Sequence, residues 1–199
     1  MRRKRPSAAA VLPNAVFLVG FMGAGKSSVG RALGERLNWA FEDLDDRIVR
    51  SEGRAVADIF RDSGEPAFRQ AEHAALQDVL KELQAGGARI VALGGGAFAR
   101  RENAALLEAA GVRTVFLDAP VEELWHRCCL HARAGGVERP LLRSVEQFGQ
   151  LYENRRKSYT RAFLQVQTGG RAVDAIAAEI AERMSLKKLS IYSGQGEVE

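Results

Sequence analysis

Apolar residues along the chain follow two alternating rhythms. Unbroken runs at Ala15-Val16-Phe17-Leu18-Val19, Ile90-Val91-Ala92-Leu93 and Thr114-Val115-Phe116-Leu117 read as strands buried on both faces, and Leu164-Gln165-Val166-Gln167 reads as the last strand. Between them, apolar positions recur at helical spacing: Val29, Leu33 and Leu37 over about 26–37, Phe68, Ala71, Ala75, Leu76, Val79, Leu80 and Leu83 in a longer stretch, and Val173, Ile176, Ala177 and Ile180 near the end. Arg69, Glu72 and Lys81 lie off the long helix's stripe. A short strand over 39–42 leads to Asp43-Leu44-Asp45-Asp46, whose carboxylates suit a helix start, and Gly53 ends the helix that follows. A short helix over 56–60 precedes Gly64-Glu65-Pro66, which opens the long helix to about Leu83. Further helices are predicted over 102–110, ending near Arg127, and over 145–160. This alternation predicts an α/β fold, a parallel β-sheet of about five strands flanked by helices, with ligands beyond the carboxyl ends of the strands.

Composition places this pattern in one domain. The 199 residues are 46% hydrophobic, and Arg2, Arg3, Lys4 and Arg5 account for the whole formal charge of +4. Residues 1–14 are therefore expected to be a disordered basic tail, 15–184 a single domain and 185–199 a flexible C-terminal tail. Basicity confined to a solvated end argues against a nucleic-acid or membrane partner. No apolar run approaches the roughly 20 residues of a membrane span. The two cysteines, Cys128 and Cys129, are adjacent, which disfavours an ordinary disulfide and points to a reducing, cytoplasmic setting. His126 and His131 lie nearby, but without the spacing of a zinc site.

Chemistry enters at Gly20-Phe21-Met22-Gly23-Ala24-Gly25-Lys26-Ser27, which fits the phosphate-loop pattern G-x-x-x-x-G-K-[ST] between a predicted strand and helix. The backbone through Gly23, Ala24 and Gly25 would curl its N–H groups toward phosphate oxygens at a helix N-terminus. Lys26 would reach the β- and γ-phosphates, Ser27 would hold Mg²⁺ through its hydroxyl, and Ser28 starts the helix. Gly94-Gly95-Gly96 marks either a sharp turn or a close ligand approach. Asp118-Ala119-Pro120 reads as a helix cap in preference to a metal-supporting carboxylate. Residues 128–142, with Gly135-Gly136 and Arg139-Pro140, form a candidate mobile lid. The chain carries neither an N-K-x-D guanine reader nor a D-x-x-G switch, so a small-molecule kinase fits better than a switch.

Taken together, GFMGAGKSSVGRAL, FEDLD, ADIFRDSGEPAFRQAE, ALGGGAF, ERPLL and ENRRKSY resemble the shikimate kinase family, within the nucleoside-monophosphate-kinase-like group, over about residues 14–183. The resemblance implies ATP-dependent phosphorylation of the shikimate 3-hydroxyl by a cytoplasmic monomer that uses Mg²⁺ with ATP. It implies that Arg69 and Arg155 clamp the shikimate carboxylate, with Glu72 holding Arg69, that Asp45 binds and activates the acceptor hydroxyl, and that Gly94, Gly95 and Gly96 approach the substrate. It further implies that Asp43 supports Mg²⁺ through water, that Arg139 closes over the phosphates from the lid, and that Arg127 stacks on adenine. Phe60 and Phe68 match apolar walls. Read without the family, Arg69 and Glu72 are an ordinary i,i+3 ion pair and Asp43 and Asp45 are helix caps. The rival readings are a gluconate-type kinase, which needs no paired carboxylate arginines, and a catalytically silent nucleotide-sensing module.

Overall fold

A computed structural model describes residues 12, 14–133 and 144–189. It contains β1 (Ala15–Val19), α1 (Lys26–Leu37), β2 (Ala40–Asp43), α2 (Leu44–Glu52), α3 (Val56–Ala85), β3 (Arg89–Ala92), α4 (Arg101–Ala109), β4 (Arg113–Asp118), α5 (Val121–Arg133), α6 (Val145–Tyr159), β5 (Leu164–Gln167) and α7 (Val173–Arg183). A single 3₁₀ turn, Ala97–Ala99, lies between β3 and α4. The five strands form one sheet in the order β2-β3-β1-β4-β5, every pairing parallel.

The apolar runs explain that order. All five residues of β1 are buried, so the strand needs cover on both faces and partners on both edges; it sits at the centre, with Phe17 opposite Val91 of β3 and Leu18 opposite Val115 of β4. The outer strands are weaker: β5 alternates buried and exposed positions, and β2 has no fully buried residue. Val29, Leu33 and Leu37 of α1 and Ile176, Ala177 and Ile180 of α7 are buried, and these two helices pack against each other. The chain leaving the carboxyl end of β1 therefore emerges where neighbouring connections diverge, which leaves a crevice there for a ligand.

Helix punctuation follows local chemistry. Asn38 and Gly53 end α1 and α2 in the left-handed conformation. The two helices expected over 56–60 and onward from Gly64 are joined into α3, with Gly64 alone departing from helical geometry at φ 78°, ψ 171°. Only glycine takes this conformation readily, and Pro66 then fits the first turn of the second segment.

Three expectations need correction. The helix expected to stop near Arg127 runs on as α5 to Arg133, because Leu124 and Cys128 stay on its buried face; residues 128–133 are thus helical, and the rest of the candidate lid, including Arg139, lies outside the described residues. Asp118 does not cap α5. It ends β4, buried, and its carboxylate accepts hydrogen bonds from Tyr152 (2.6 Å), Gln165 (3.0 Å) and Arg156 (3.2 Å), while the first backbone bonds of α5 go to the Pro120 carbonyl. The stretch beginning at Ser185 is also tied to the body of the protein as far as Leu189: Leu186 packs on the core, the Trp39 indole donates to the Lys187 carbonyl (3.2 Å), and the Leu189 amide donates to the Leu37 carbonyl (2.9 Å). Residues 1–11 and 190–199, which hold most of both expected tails, lie outside the described residues.

Candidate active site

The loop between β1 and α1 is shaped by its glycines. Gly23 has φ 80°, and a Cβ there would come within 2.6 Å of the Leu124 carbonyl and 3.1 Å of Cys128 Sγ, so the loop lies directly against α5. Gly25 occupies the N-cap of α1, no side chain caps that helix, and no carboxylate lies in its first turn. Its open N–H groups and positive end therefore face the loop, the arrangement that attracts an anion. The Lys26 ammonium donates to the carbonyls of Gly20 (3.1 Å) and Phe21 (3.0 Å). A cavity of about 460 Å³ opens here, lined by residues 22–29 together with Arg127, Thr168 and Arg171. Arg127 is held at its wall by Glu123 (2.5 Å) and by the carbonyls of Thr168 (3.0 Å) and Gly23 (3.3 Å).

Ser27 and Asp43, distant in sequence, meet at the mouth of the loop. The Ser27 hydroxyl donates to Asp43 Oδ2 (2.6 Å), and Asp43 Oδ1 accepts from the Asp45 backbone N–H (3.1 Å). Asp43 is thus the N-cap of α2, which releases the Asp45 side chain from capping. Hydroxyl and carboxylate oxygens side by side are the hard donors that Mg²⁺ takes when phosphates and water supply its remaining ligands, so the pair fits that ion.

The three glycines after β3 form a strap across a row of charged groups. A Cβ on Gly94 would lie 2.7 Å from Asp45 Oδ1 and 3.2 Å from Glu72 Oε1, and one on Gly96 would lie 2.9 Å from both terminal nitrogens of Arg69. Arg155 Nη1 donates to the Gly95 carbonyl (3.3 Å), and its guanidinium sits 5.8 Å from the centroid of the Phe21 ring. The strap therefore runs from the Asp45 carboxylate at Gly94, past the Arg155 guanidinium at Gly95, to that of Arg69 at Gly96. Glu72, fully buried, stands between them: both of its oxygens accept from Arg69 Nη1 (3.1 Å). Burial pushes the Glu72 carboxyl above the usual carboxylate range, Arg69 pulls it back, and the nearby Asp45 adds to the rise. Phe60 and Phe68 stack at 4.6 Å beside Arg69, with Phe68 buried.

Two further groups beside the strap are not marked out by the sequence. Tyr159 donates its hydroxyl to the Gly95 carbonyl, and burial pushes that hydroxyl's pKa up to about 12, so it stays a neutral donor. Its signal was the i,i+4 spacing from Arg155, which puts both side chains on one face of α6. Arg100, paired with Glu102, shares with Arg69, Arg155 and Gly96 the wall of a second cavity of about 780 Å³. It follows the glycine strap closely in sequence, but its neighbours gave no pattern to mark it.

Because Gly94 has no space for a side chain, Gly94→Ala is expected to displace Asp45 or the strap and to lower turnover by about tenfold or more, at an overpacking cost of about 1–3 kcal/mol. Gly149→Ala is the control: a Cβ there meets nothing closer than 4.0 Å, and the change lies inside α6, so it should raise the melting temperature and leave turnover intact. Equal activity in both variants would show that the strap is only a turn.

Comparison with known proteins finds relatives that match most of the chain. The family described as Shikimate kinase matches residues 22–185. The shikimate kinase of Streptomyces avermitilis is 43% identical over 176 residues, 87% of this chain and 96% of that protein. The shikimate kinase of Persephonella marina is 36% identical over 170 residues, 85% of this chain and 98% of that protein. Among solved structures, shikimate kinase from Acinetobacter baumannii in complex with shikimate superposes with a TM-score of 0.77 at 31% identity, covering 92% of this chain and 97% of that one.

Proposed function

We propose a reaction from the premise that this chain belongs to the shikimate kinase family: ATP-dependent phosphorylation of shikimate, at its 3-hydroxyl, giving ADP and shikimate 3-phosphate on the way to chorismate and the aromatic amino acids. The observation that carries it is the glycine strap. It runs from Asp45 beside Gly94 past Arg155 at Gly95 to Arg69 beside Gly96, which suits an acceptor that presents hydroxyls toward one end and a carboxylate toward the two arginines.

In this reading the loop from Gly23 to Ser28 cradles the phosphates, Lys26 leaves the carbonyls of Gly20 and Phe21 for the β- and γ-oxygens, and Arg127 borders the base. Ser27 would hold Mg²⁺ directly and Asp43 would hold it through water; when bound, the ion neutralises charge on the phosphates. Asp45 accepts the proton of the acceptor hydroxyl as its oxygen bonds to the γ-phosphorus and the bond to the ADP oxygen breaks. Arg69 and Arg155 take the acid's carboxylate, each offering a planar fork. Arg139 is assigned to the phosphates on the resemblance alone. The resemblance to the family supports a cytoplasmic setting, and no helix among the described residues is long and apolar enough to cross a membrane.

Arg155→Lys tests the clamp. The ammonium keeps the charge but loses the fork, so acid binding should weaken by about 1–3 kcal/mol with ATP binding unchanged. Shikimate methyl ester should bind poorly to the unaltered protein and be nearly indifferent to the substitution, giving strong coupling in a double cycle. Additive effects of the ester and the lysine would remove Arg155 from the acceptor site and favour a gluconate-type acceptor.

A further inference from the structure

Arg69 carries more carboxylate than the clamp accounts for. Glu72 takes its Nη1, and the remaining edge is also occupied: Glu65 Oε1 accepts from Nε (3.0 Å) and from Nη2 (2.9 Å). That Nε–Nη2 edge is a fork a free carboxylate can use. The two glutamates are otherwise unlike. The Glu72 side chain is 1% exposed and locked in place, whereas that of Glu65 is 64% exposed at the rim of the cavity it shares with Arg155 and Gly96. Arg155 has no ion-pair partner among the described residues, so of the two clamp arginines only Arg69 arrives with its outer edge filled.

Glu65 is also placed to let go at small cost. The break at Gly64 restarts the helix, Pro66 follows, and Glu65 stands at the N-terminal end of the new segment, where a carboxylate is favoured by the helix dipole whether or not it touches Arg69. An exposed i,i+4 pair is weak in itself, and water replaces its hydrogen bonds once it opens.

We propose that Glu65 is a resident stand-in for the substrate's carboxylate. It holds the outer edge of Arg69 until the acid arrives, so that acceptor binding is an exchange of one carboxylate for another. Glu65 thereby sets the threshold for anions at this end of the site: a weak carboxylate without hydroxyls to engage Asp45 fails to displace it. The inference rests on the acceptor-site reading above.

Glu65→Gln, an isosteric change on an exposed side chain, tests it by calorimetric titration of the folded protein with shikimate, shikimate methyl ester and acetate. Shikimate should bind about three- to fivefold more tightly, the scale of one exposed ion pair, acetate should become a better competitor, and the ester should bind as before. Shikimate binding that is unchanged or weaker, beside the expected loss in Arg155→Lys, overturns the stand-in and leaves the clamp standing. Equal shifts for acid and ester mean a structural role for Glu65 and also overturn it. No response to either substitution removes both arginines' end of the site from acceptor binding, and the stand-in falls with it.

Discussion

Replacing Lys26 by alanine lowers kcat by about a thousandfold, the scale of losing one positioned donor to transition-state charge, while the protein keeps its fold. The side chain is the first of α1 and fills no core volume; its ammonium rests on the carbonyls of Gly20 and Phe21, which water can serve in its absence. Circular dichroism melting of the variant should superpose closely on that of the unaltered protein, and single-turnover measurement at saturating ATP should show the loss in the chemical step. Normal turnover would mean that the phosphate loop is not where phosphoryl transfer occurs.

Asp45→Asn has the second large effect, a fall in turnover of about a hundredfold or more, because an amide cannot take the hydroxyl proton. The structure makes this substitution clean. Asp43, not Asp45, caps α2, and the backbone N–H that Asp43 accepts is untouched by a change in the Asp45 side chain. Nucleotide affinity should hold, and melting should change little. Substitution of Asp43 behaves differently: it removes the cap together with the partner of Ser27, so stability and nucleotide binding fall together. Full activity in Asp45→Asn would reassign proton removal to another group.

Much of this architecture was legible in the chain because its signals are local. The run Ala15 to Val19, wholly buried at the centre of the sheet, could scarcely be anything but an interior strand, and Gly25-Lys26-Ser27 carries its ligand chemistry in its own spacing. What escaped was set by tertiary contact. Asp118-Ala119-Pro120 has the local appearance of a cap, yet Tyr152, Arg156 and Gln165 arrive from α6 and β5 to claim the carboxylate. The end of α5 is not legible in the sequence because Cys128, a weak hydrophobic signal there, is buried against Gly23. Arg69 and Glu72 were legible as an i,i+3 pair, but not the third member, Glu65, whose placement depends on the break at Gly64. The convergence of Arg155 and Tyr159 on one glycine carbonyl likewise required the strap's path to be known.

In the reaction proposed above, the charged row along the strap selects a hydroxylated acid and directs the γ-phosphoryl group to it. The most direct measurement follows ADP release and ³¹P resonances with purified protein, Mg-ATP and, in parallel, shikimate, shikimate methyl ester and gluconate. Release of ADP that matches shikimate added, with one new phosphomonoester at the 3-position and only slow reaction of the other two acceptors, is the predicted result. ADP release that is indifferent to shikimate, or faster with gluconate, would contradict it.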